Sequence, residues 1–128
     1  MNPITKEWVS KAEGDFNSAQ RELRARKNPN YDASCFHSQQ CVEKYLKARL
    51  IELNISFPKT HDLTYLVGLL VRTEPLLEAL EAEFRILNDY AVEYRYPGET
   101  ADKETAKKTF NICKHLRAII RQGLGLAD

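Results

Sequence analysis

The chain has 128 residues, of which 43% are hydrophobic and 29% charged, with five Gly and five Pro; that is enough for one domain (1–128) with one core, and it excludes a low-complexity chain. A net charge of +1 excludes global electrostatic attraction to nucleic acid but leaves room for a local basic patch. Three cysteines, Cys35, Cys41 and Cys113, have no C-x-x-C spacing and fit reduced thiols rather than a disulfide framework. Met1–Trp8 shows no signal-peptide pattern and no apolar run is long enough for a bilayer, so no membrane association is expected and the expected location is cytoplasmic.

Apolar residues recur at steps of three and four nearly throughout, which predicts an all-α chain. Trp8, Ala12, Phe16, Ala19 and Leu23 form the stripe of a first helix over about residues 4–26. Arg21, Arg24, Arg26 and Lys27 lie at its end, where cations suit the helix dipole, and Asn28-Pro29-Asn30 reads as a turn. A second helix runs over about Tyr31–Asn54, with Tyr31, Cys35, Val42, Leu46, Leu50 and Leu53 inward. Pro58 breaks the pattern, and Thr60 or Asp62 can cap a short third helix carrying Leu63, Leu66, Val67 and Leu70. A fourth helix starts at Pro75 and reaches about Tyr94, with Leu77, Leu80, Phe84 and Leu87 inward and Glu74, Glu78 and Glu81 on a wet face. Pro97 stops it. A fifth spans about Ala101–Arg121 on Ala106, Cys113, Leu116 and Ile120, ending at Gly123 and Gly125. Long helices with short joints imply an antiparallel bundle.

Polar side chains at helical spacing are the candidates for chemistry. Gln40, Glu43 and Lys47 fall on one line beside the core stripe of the second helix, with His37 and Lys44 on the next. Such a row can hold a phosphate, with Lys47 supplying charge, Gln40 reading a polar edge and Arg95 adding a bidentate clamp. It is equally a helix flank in which Glu43 and Lys47 form an i,i+4 pair. His61 is placed either to face the same groove or to hold its loop by hydrogen bonds. Tyr94 and Arg95 either stack and grip a nucleotide or pack against the bundle end. Lys107, Lys114 and Arg121, with Lys103 and Arg117 nearby, make a basic stripe on the fifth helix, which is either solvated or in contact with RNA or an acidic surface. His37 and Cys41 are i,i+4 and suited to share a metal, whereas Cys113 and His115, two apart, point to different helix faces, so a closed zinc site and a metal are not expected.

Three segments occur in a familiar order: Phe36-His37-Ser38-Gln39-Gln40-Cys41-Val42-Glu43-Lys44-Tyr45-Leu46-Lys47-Ala48, then Phe57-Pro58-Lys59-Thr60-His61-Asp62-Leu63, then Tyr94-Arg95-Tyr96-Pro97, preceded by Trp8, Ala12 and Asp15. Together they resemble the HEPN family, the higher-eukaryote and prokaryote nucleotide-binding domain, over about residues 5–122. The resemblance implies an up-and-down bundle of four main helices plus a short extra helix, often a homodimer. It also implies a gene neighbour that is often a minimal nucleotidyltransferase, with some such pairs acting as toxin and antitoxin. Other members cleave RNA through an Arg, four to six residues and a His. Here Arg85 has the spacing, but Tyr90 stands in the His position, and a phenol titrates far from neutral pH. The ribonuclease activity is therefore not carried over, and no catalytic residue is assigned.

The expectation is thus a HEPN-like module that holds a nucleotide or RNA beside Gln40, Glu43, Lys44, Lys47, His61, Tyr94 and Arg95. It would act without a cofactor, as a homodimer with a separate minimal nucleotidyltransferase. Two alternatives stand beside it. One is a divergent HEPN ribonuclease toxin using Arg85, Tyr90 or a non-standard His. The other is a purely structural helical adaptor.

Overall fold

Asn2 starts the first helix by accepting a hydrogen bond from the Ile4 backbone N–H, and Pro3 occupies the first turn, where its missing N–H costs nothing. The computed structural model describes residues 1–127. α1 spans Pro3–Arg24, α2 Tyr31–Glu52, α3 Leu63–Leu70, α4 Glu81–Glu93 and α5 Lys103–Gly123, with a 3₁₀ segment at Pro75–Leu80 ahead of α4. Among the described residues there is no strand. The architecture is the antiparallel helical bundle that the apolar periodicity predicts.

Each joint has a local cause. α1 ends two residues before the expected point because Ala25 is extended, and Asn28 then takes a positive φ of 48°, a conformation asparagine tolerates. Asn30 caps α2 by accepting from the Ala33 N–H, and Asp102 caps α5 by accepting from the Thr105 N–H. Of the two candidates for α3, Asp62 is the cap: its carboxylate accepts from the N–H groups of Thr64 and Tyr65.

The fourth helix departs from expectation. Pro75 opens a 3₁₀ segment rather than an α-helix, and no side chain caps it. Glu74, expected on a wet face, is instead half-buried and bound to the Arg49 guanidinium. Within the segment Leu77 is buried in the core and Leu80, three residues on, packs half-buried against it, while Leu76 is 81% exposed. With one inward anchor per turn, three-residue repeats satisfy the packing, and the α-helix begins only at Glu81.

α2 is the central element and packs against each of α1, α3, α4 and α5. Its Val42, Tyr45, Leu46 and Leu50 are fully buried, with Phe84 and Leu87 from α4 and Leu116 and Ile120 from α5 in the same cluster. Trp8 and Phe16 of α1 are only half-buried, and each packs against a cation. The Lys47 ammonium sits 5.6 Å from the Trp8 ring centre, and the Arg117 guanidinium 4.2 Å from that of Phe16. Among the described residues no helix is long and apolar enough to cross a membrane.

Candidate functional site

Because α2 is enclosed on so many sides, polar residues expected on its flank lie inside the protein. Glu43 is 2% exposed and Lys47 6%. The Lys47 ammonium donates to Glu43 at 3.1 Å, the i,i+4 pair of the structural alternative. Glu43 also accepts from the Gln39 side-chain amide at 3.2 Å and faces His61 Nδ1 at 3.0 Å. Gln39 donates in addition to the His61 carbonyl, so the α2–α3 loop is tied to α2 through two residues. A buried carboxylate of this kind is stable only when its oxygens are met by several donors, as here.

Two further networks fix α1 against the bundle. Asp15 takes His37 Nδ1 at 2.8 Å and the Lys44 ammonium at 2.5 Å. Glu13 receives Arg117 through two nitrogens, at 2.7 and 2.6 Å, and the Tyr45 hydroxyl at 2.5 Å. Burial alone would raise the Glu13 carboxyl, but the hydrogen bonds from Arg117 and Tyr45 outweigh it and hold it below the ordinary range. Burial, together with the bond to Glu13, pushes the Tyr45 phenol up. The Cys35 thiol, pushed up to about 11 by burial, is a packing group rather than a nucleophile.

An open groove of about 290 Å³ lies between the α2–α3 loop and the end of α4, lined by Gln39, His61, Asp62, Asn88, Asp89 and Arg95 among others. Most of its polar wall is already engaged. Asn88 donates to Asp62 at 2.7 Å and accepts from the Leu63 N–H. Hydrogen bonds, first from the Thr64 hydroxyl and then from Asn88 and the α3 backbone, hold the Asp62 carboxyl below its usual range despite partial burial. Three groups remain open toward solvent. The His61 side chain is 70% exposed and, with Nδ1 held by Glu43, presents Nε2 outward. The exposed Arg95 has no carboxylate within 4.0 Å among the described residues and lies 5.8 Å from the Phe36 ring centre. Asp89 is likewise exposed, without a cationic partner among the described residues.

Of the seven residues singled out from the sequence, His61 and Arg95 line this groove. Glu43 lies behind it and orients His61. Lys47 does not reach it, since its charge is spent on Glu43 inside the protein. Lys44 turns to Asp15, and Gln40 donates to Gln39 and Glu43 rather than facing the cavity. Tyr94 packs beside Cys35, Ala101 and Ala106 and against the Tyr90 ring, 5.9 Å between centres. Sequence reasoning misses Gln39, Asn88 and Asp89. Gln39 carries a visible signal, an amide one residue from Gln40 on a mostly apolar helix; the α4 pair carries none. His37 is turned to Asp15 and Cys41 is buried in the core, so the two do not form a chelate. Among the described residues no group of three His, Cys, Asp or Glu is placed to hold a metal.

A family model described as the HEPN domain matches residues 5–123. Among solved structures, the crystal structure of TT1696 from Thermus thermophilus is similar to this chain with a TM-score of 0.81 at 22% identity, covering 95% of this chain and 98% of that one. At that identity the likeness is one of fold. None of the curated proteins matches the chain in sequence.

Proposed function

The chain belongs to the HEPN domain family, and from that premise we propose that it is a helical module that holds a nucleotide, or the end of an RNA, in the groove between the α2–α3 loop and α4. In this reading it works as a homodimer beside a separate minimal nucleotidyltransferase in the cytoplasm, as in the family's toxin–antitoxin pairs. The observation that carries the ligand is the set of open groups: the Arg95 guanidinium, the outward edge of His61 and the Asp89 carboxylate, all on one groove. Arg95 and His61 suit a phosphate. Asp89 repels a bare phosphate but accepts hydrogen bonds from ribose hydroxyls or a base amine. A nucleotide answers both, and inorganic phosphate only one.

Calorimetric titration with AMP, ATP and inorganic phosphate tests this. The nucleotides should bind better than phosphate. Arg95→Ala should weaken them roughly 10- to 100-fold, the range for losing a hydrogen bond to a charged group. Asp89→Asn should narrow the gap between nucleotide and phosphate. If wild type binds none of the three, the groove is structural.

The ribonuclease reading finds little support in the geometry. Arg85 is bound to Glu81 at 2.5 Å on an exposed face, and the Tyr90 ring packs at a tilt against that of Tyr94. A phenol supplies no proton shuttle near neutral pH. Purified protein should leave labelled single-stranded RNA intact on prolonged incubation. Cleavage that disappears in Arg85→Ala would reverse this assignment.

A further inference from the structure

Two basic segments far apart in sequence meet where α1 ends against α5. The C-terminal end of α1 and the turn after it bring Arg24 and Arg26 beside Lys103, Lys107 and Lys114 of α5, around a second groove of about 580 Å³. All five are exposed or half-exposed, and none has a carboxylate within 4.0 Å among the described residues. Among the described residues no Asp or Glu lines the groove; Asn111 adds a polar side chain, and Tyr31 and Phe110 supply aromatic surface. On the far side of Lys107 the surface is mixed, with Glu83 and Glu104 beside Lys108. Since the whole chain carries only +1, five uncompensated cations on one face leave the rest of the chain net negative.

We propose that this groove binds the phosphate backbone of a single-stranded polynucleotide. Its length argues for a polymer. Lys103 to Lys114 covers ~16 Å of helix at ~1.5 Å per residue, and at ~3.4 Å per nucleotide of stacked strand that is about five phosphates. A lone phosphate or mononucleotide would meet only part of it. Aromatic faces beside the cations suit bases, which stack without regard to sequence. The site shares no residue with the groove of His61 and Arg95, so the two assignments stand or fall separately.

Fluorescence anisotropy with a labelled oligonucleotide of about 12 residues, in RNA and DNA forms, tests it at several KCl concentrations. About five neutralised phosphates give a log–log salt slope near −3.5, roughly a 100-fold loss of affinity between about 50 and 200 mM KCl. Lys107→Ala/Lys114→Ala should shrink the slope by about 1.4, with circular dichroism unchanged because both side chains lie on the helix surface. Arg72→Ala, at an exposed cation that lines neither groove, should bind the oligonucleotide as wild type does. Equal binding of RNA and DNA means that the backbone alone is read; preference for RNA adds a contact to the 2′-hydroxyl. The proposal is overturned if wild type shows no salt-dependent binding, or if the double variant is unaffected. It is also overturned if a polyglutamate peptide or phosphatidylserine vesicles bind wild type as tightly as the oligonucleotide does.

Discussion

Glu43→Leu should lower the stability of the protein by about 3–5 kcal/mol, the cost of leaving one partner of a buried ion pair alone. Lys47 is 6% exposed, and besides Glu43 it lies against the faces of Trp8 and Phe57, which attract a cation but do not replace a carboxylate. The variant also releases Gln39 and His61 Nδ1, the two residues that hold the α2–α3 loop to α2. Urea unfolding reads the change directly. The midpoint should fall by roughly 1–3 M at the denaturant sensitivity of a domain this size. The double variant Glu43→Leu/Lys47→Met removes both charges and should recover most of the loss, since a buried pair is often no more stabilising than apolar residues of similar volume. A midpoint for Glu43→Leu within about 0.3 M of wild type, well under the shift that the loss of a buried partner implies, would mean that water reaches Lys47 and the pair is not buried as described.

This pair also shows what a helical wheel conveys and what it omits. The wheel places Glu43 and Lys47 on one line, four residues apart, and that relation holds. It does not say what covers the line. Here the cover is tertiary: the aromatic faces of Trp8 and Phe57 on one side and the loop at His61 on the other. A hint is present in the sequence, because buried apolar residues occur nearly all round α2, from Cys35 through Val42, Tyr45, Ala48 and Leu50. A helix of that kind is enclosed, and polar residues on it are then internal. The elements themselves are legible because capping and periodicity are local. Asn2, Asn30, Asp62 and Asp102 each satisfy N–H groups within three residues of themselves. The groove is legible only in part, since His61 and Arg95 lie in recognisable segments, whereas Asn88 and Asp89 reach it solely through the packing of α4. The two basic runs are each visible, but nothing local says that the end of α1 meets α5.

The dependence of the groove on α4 leads to the second large effect. Phe84→Ala should destabilise the protein by about 3–5 kcal/mol, the usual cost of truncating a buried phenylalanine. α4 buries only Phe84, Leu87 and Ala91, and Phe84 is fully enclosed and the largest of the three. Losing it removes the main attachment of the helix that carries Asn88 and Asp89 and leads into Arg95. Two comparisons separate a packing effect from a general intolerance of the region. Phe84→Leu keeps an apolar side chain in place and should cost less than the alanine variant. Leu76→Ala, in the 3₁₀ segment just ahead, removes a side chain that is 81% exposed and should change stability by no more than about 0.5 kcal/mol. Thermal unfolding followed by circular dichroism ranks the three. In conditions where Phe84→Ala is still folded, nucleotide binding should weaken as well, because Asp89 and Arg95 lose their support, while oligonucleotide binding at the α1–α5 groove should persist. If Phe84→Ala unfolds no earlier than Leu76→Ala, α4 is held to the bundle by contacts other than its buried face, and the groove does not depend on Phe84.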